Sequence, residues 1–253
     1  MELLAFFGLE QVHWLNFVAL IWFLICIKGY GRYARFRSKT RPCLVNVMHL
    51  HRIDWMRQLL LRDVRVADIA AIANLERSVA FFASSTLILL AGLLTVFSAS
   101  EQAVTLLSEF PLVIDTSRVE WELKLLVLIG LFIYAFFKFT WSLRQYGFAS
   151  VLIGSAPVHS ESTGDAECEL FIHRTAQMET MAANNFNNGL RAYYFSLALL
   201  GWVMNPWVLI GMSTGVVYVL YQREFRSSTL RTLMAGLEES RILDSSYQQL
   251  TVD

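Results

Sequence analysis

His173, Gln177, Asn184, Asn188 and Arg191 follow one another at spacings of four, seven, four and three residues. At about 100° per residue they fall within about 60° of one another on a helix, and Phe195 continues the same line. The chemistry open to such a face is that of a wetted vestibule: the arginine supplies a fixed positive charge, and the amides donate to or accept from a passing ion or small polar solute. The same residues serve equally well as glue, because amide side chains join helices without transporting anything. Lys138, a charge within an apolar run, carries three readings: pore lining, pairing, or snorkelling to the membrane surface.

Other chemistry finds less support. Glu169 and His173 are four apart, with Glu167 and His159 close in sequence, so a divalent-metal site can be drawn. No second spaced pair completes it, and a Glu–His pair at this spacing is also ordinary surface electrostatics. His13, His49, His51, His159 and His173 sit at or beyond the ends of apolar runs, the wrong place for axial ligands of a membrane haem. There is no HExxH, phosphate-binding glycine loop or dinucleotide fingerprint, and nothing nominates a nucleophile with its base. The expectation is a non-enzyme with no cofactor and no metal. Cys26, Cys43 and Cys168 form neither a CxxC pair nor a disulfide framework.

The elements that must position these residues are written in the composition. Of 253 residues 55% are hydrophobic and only 17% charged, with 18 Phe and 7 Trp. A soluble fold of this size has too little interior for so many large apolar side chains, and a bilayer is where they go. Net charge is zero, so no global basic field points to nucleic acid.

Apolar runs over 12–30, 78–99 and 124–143 are each about the length a helix needs to cross hydrocarbon. The run after residue 182 is too long for one span, and Asn205-Pro206 interrupts it. Proline suits the first turn of a new helix and not the interior of an old one, so the dipeptide predicts a hairpin between spans 182–204 and 206–221; one strongly bent helix is the alternative. Gly211 and Gly215 form a GxxxG in the last span, suited to close packing within the bundle or between copies.

Charge bias orients the bundle. Eleven Lys and Arg residues lie between Lys28 and Ser78, whereas residues 101–122 carry Glu101, Glu109, Asp115, Glu120 and Glu122 against Arg118. The first segment belongs in the cytoplasm and the second on the far side. Five spans then put the N-terminus outside and the C-terminus inside, in agreement with Arg223, Arg226 and Arg231. Cytoplasmic helical segments are predicted over 49–77 and 165–182, with Thr163 as an N-cap of the latter. Val66, Ile69, Ile72 and Leu75 mark an apolar stripe, on a helix of more than thirty residues that runs into the second span. The fold class expected is all-α: a polytopic membrane helical bundle with cytoplasmic helix extensions in a single domain.

Three stretches, Arg65–Leu94, Trp141–Pro157 and Asn184–Trp207, carry a resemblance. Through them the chain resembles a large uncharacterised family of bacterial membrane proteins known only as a domain of unknown function. The resemblance implies a protein of the bacterial cytoplasmic membrane and supplies no chemistry.

Two functions fit. One is an oligomeric channel or simple transporter for an ion or small polar solute, since five short spans leave little room for a conduit within one copy. The other is a structural or regulatory membrane protein whose cytoplasmic helices hold a partner. Membrane lipid surrounds either one.

Overall fold

The computed structural model describes residues 14–38, 40–108, 117–157 and 164–236. Its helices are α1 (Trp14–Arg37), α2 (Leu44–Leu60), α3 (Val66–Ser98), α4 (Ser100–Ser108), α5 (Arg118–Gly154), α6 (Asp165–Met204) and α7 (Pro206–Phe225). A further short helix covers 228–236, and there is no strand among the described residues. His13, Glu109, Asp115, His159 and the expected N-cap Thr163 lie outside the described residues; α6 begins instead behind Gly164, which offers no side-chain cap.

The helices α1, α3 and α5 are long and apolar enough to cross a membrane. The protein is therefore an all-α, multi-pass membrane protein, and outward-facing side chains such as Ile21, Phe81, Ile88 and Phe137 meet lipid rather than water. Each membrane helix outruns its apolar segment. α1 continues past Tyr30 to Arg37, α3 starts at Val66, well before Ser78, and α5 continues past Leu143 to Gly154.

Local chemistry sets the ends. The Ser117 hydroxyl accepts from the Glu120 N–H and caps α5. At Asn205-Pro206 the Asn205 Oδ1 accepts from the Trp207 N–H, Pro206 occupies the first turn of α7, and α6 ends at Met204. The two helices return antiparallel: Arg223 of α7 donates to the Tyr194 hydroxyl of α6, and Gly201 faces Val208 and Met212.

Two cores result. The first joins α1, α5, α6 and α7 through Phe23, Phe132, Phe195, Leu199, Trp202 and Leu209. The second joins α2, α3, α5 and α6 through Met56, Ile72, Phe139, Tyr146, Ile153 and Ala176. α5 and α6 belong to both, so they are the spine of the molecule. They approach closely at Gly189, where a Cβ would enter the ring of Phe139. That ring is fully buried among Phe82, Phe186 and Tyr193 and has nowhere to go. Gly189→Ala should therefore lower thermal stability in detergent by about 1–3 kcal/mol through overpacking, whereas Gly130→Ala, with open space around the added methyl, should not. Equal melting temperatures for the two variants would contradict this packing.

Candidate functional site

The polar side chains of α6 are distributed among α1, α2, α5 and α7. Arg191 Nη2 donates to Glu224 Oε2 on α7 at 2.9 Å, and its Nη1 donates to Asn188 Oδ1 at 3.4 Å. The Tyr30 hydroxyl of α1 donates to the same Glu224 oxygen at 2.7 Å, and the guanidinium lies 5.4 Å from the centre of the Tyr30 ring. The carboxylate that answers Arg191 is thus Glu224. Answering a half-buried cation with a carboxylate and a ring face keeps both charges tolerable with little water around them.

Nearly two turns back toward the start of α6, Lys138 of α5 donates to Asn185 Oδ1 at 3.1 Å, and Asn185 donates to Gln145 Oε1 at 2.7 Å. Lys138 is therefore a paired residue that joins α5 to α6. It also lies over Tyr134, 5.7 Å from the ring centre.

The face that the sequence spacing singled out is not continuous in use. His173 and Gln177 are exposed, and His173 stands 3.6 Å from Glu169 of its own helix. Asn184 and Asn188 are both half-buried, and Arg191 is tied to α7 through Glu224. The physical reason is where α7 ends: its penultimate residue, Glu224, meets Arg191, and at about 1.5 Å per residue Gln177 and His173 lie about 20 Å or more farther back along α6. Among the described residues, no group of three or more His, Cys, Asp and Glu side chains could hold a metal ion.

A second cluster was not singled out by the spacing. Glu179 of α6 is 1% exposed, its carboxyl oxygens accept no hydrogen bond, and Arg52 of α2 stands 3.9 Å away. Burial raises the Glu179 carboxyl to about 7, and the opposing attraction of Arg52 is the smaller effect. Beside it His49 Nδ1 and the Thr180 hydroxyl are 2.8 Å apart, and burial, with help from Arg52 and His173, lowers the His49 imidazole below its ordinary value. Thr175 Oγ1 is also buried without a partner. The signal for Glu179 was available: Ile172, Ala176, Glu179 and Ala182 recur at helical spacing, which puts a carboxylate on an otherwise apolar stripe.

At the opposite end of the bundle Asn16 donates to Glu120 Oε1 at 3.1 Å and accepts from Trp202 Nε1 at 2.8 Å. Lys124 lies over the Trp202 ring, 5.9 Å from its centre. Between this cluster and Arg191 the interior is filled by Ala19, Phe23, Phe132, Phe195 and Leu199. The two polar ends are thus separated by packed apolar side chains.

No curated protein and no solved structure matches the chain. A family model does match it, over residues 18–229, and by that match the chain belongs to the family described as "Protein of unknown function, DUF599".

Proposed function

We propose that the chain is a non-enzymatic structural or regulatory protein of the cytoplasmic membrane, in which a five-span bundle orients a cytoplasmic helical bundle that holds a partner. The observation that carries this reading is the spent charge of Arg191. Its guanidinium is committed to Glu224 and Tyr30, and Phe23, Phe132 and Phe195 fill the layer behind it. A further support is the corner between α2 and α3, where Leu61, Val64, Val66 and Ile69 are exposed although they lie beyond the apolar span. Of the predicted stripe only Ile72 is buried within the chain. An apolar patch in water is a surface suited to a partner.

The channel or transporter reading requires a path between copies. What favours it is the face of α7 at Gly211 and Gly215, where nothing among the described residues comes within 4 Å of an added Cβ. Reconstituted vesicles separate the two. The purified protein should leave the permeability to potassium, chloride and glycerol at the level of protein-free vesicles. Flux rising with protein content would overturn the structural reading and place a path between copies.

The topology behind both readings has its own test. A reporter active on only one side of the membrane, fused after Asp253, should report the cytoplasm. A periplasmic signal would remove the five-span arrangement.

A further inference from the structure

We propose that a groove between the ends of α1 and α7 binds the phosphate of an anionic phospholipid headgroup. The groove encloses about 510 Å³, and Arg37, Arg41, Arg226 and Arg231 line it together with Tyr221 and Phe225. No Asp or Glu is among its described lining residues. Four like charges around one small volume repel each other, and the arrangement is relieved by an anion seated among them.

Nothing within the described residues supplies that anion. None of the four arginines forms an ion pair there, whereas Arg52, Arg57, Arg62, Arg118 and Arg191 all do. Glu224, the acidic residue nearest in sequence to Arg226, is held by Arg191 and Tyr30. Arg37 Nε is buried and donates to nothing among the described residues. Arg226 lies over the Tyr221 ring, 5.8 Å from its centre, which orients a guanidinium while leaving its in-plane donors free. Guanidinium groups offer paired donors that match phosphate oxygens.

The position selects a lipid over a soluble phosphate compound. Arg37 ends a membrane helix, and Arg226 follows directly on α7, which returns beside α1. Tyr33, Tyr221 and Phe225 pack on one another with ring centres 5.4–6.5 Å apart, an aromatic belt of the kind found at headgroup level. Phosphate on the arginines and the glycerol and upper acyl carbons against Tyr221 and Phe225 satisfy both halves of the groove. The fourth wall is fixed in place: Leu230 is buried, and His51 Nε2 lies 3.1 Å from the Leu233 carbonyl oxygen. Clusters of basic side chains at a membrane surface attract anionic lipid in this way.

The test is native mass spectrometry of the full chain released from micelles containing equal phosphatidylglycerol and phosphatidylcholine. The wild-type protein should retain phosphatidylglycerol preferentially, and the Arg41→Gln/Arg226→Gln/Arg231→Gln variant should lose that preference by about tenfold. Arg77→Gln, an exposed arginine on α3 away from the groove, should not change it. The wild-type protein alone supplies a second measurement, should the triple variant fail to fold. A phosphatidylglycerol with a photoreactive group next to the phosphate should label peptides containing 37–41 or 221–234. Equal retention of both lipids by the wild type, or labelling confined to other peptides, would overturn the proposal. Saturation of the groove by millimolar inorganic phosphate, with loss of bound phosphatidylglycerol, would assign the site to a soluble phosphate compound and overturn the lipid assignment.

Discussion

Arg191→Gln should damage the fold before it alters any selectivity. In the parent the Arg191 guanidinium and the Tyr30 phenol share one oxygen of Glu224, at 2.9 and 2.7 Å. The Arg191 and Glu224 side chains are 23% and 12% exposed, so water does little of the work. Removing the guanidinium leaves a carboxylate in a mostly buried site with a single phenol as donor, at a cost of about 3 kcal/mol. Three helices lose their common tie at once, because Tyr30 is on α1, Arg191 on α6 and Glu224 on α7. The variant should unfold at lower temperature in detergent and run as aggregate or altered assembly on size exclusion. Arg191→Gln/Glu224→Gln should recover much of the loss, since two amides of similar shape can bond each other and neither carries charge. A single variant as stable as the parent, with its assembly intact, would mean that the charge faces water after all, and the vestibule chemistry would regain its footing.

How far the sequence foretold this arrangement depends on the range of the forces involved. Membrane helices and the Asn205-Pro206 break are local matters, set by apolar length and by the missing proline N–H, and each is legible in a single stretch of chain. The apolar face of α3 is legible as periodicity, but which of its positions are covered is not. Ile72 is buried against α5 and α6 while Val66 stays exposed, because coverage is decided by where neighbouring helices end. Pairing is less legible still. Arg191 could be placed near the boundary from sequence, yet Glu224 lies 33 residues away in a run that reads as the charged tail of a span. Only the antiparallel return of α7 brings the two together. Lys138 and Asn185, 47 residues apart, meet for the same kind of reason across α5 and α6.

The same limit explains Glu179, where the expected pH response has a definite sign. Its carboxyl titrates at about 7 in the folded protein against an ordinary 4.5. Below about pH 4.5 it is protonated in folded and unfolded chains alike, and its burial carries no ionisation penalty. Between there and about pH 7 the unfolded chain gives up the proton first, so folded stability falls as the pH rises. The full difference corresponds to about 3 kcal/mol. His49, beside it on α2, works in the opposite sense. Its lowered value means that the unfolded chain takes up a proton first as pH falls, so it destabilises the fold on the acid side. The two slopes oppose one another in the window between, which is why the carboxyl must be isolated. In a His49→Gln background the melting temperature should decline from pH 5 to pH 8. With Glu179→Gln added, the decline should flatten and the protein should melt higher at pH 8, despite the loss of a partner for Arg52. Unchanged slopes in the two variants would show that Glu179 stays ionised throughout and that Arg52, at 3.9 Å, outweighs burial.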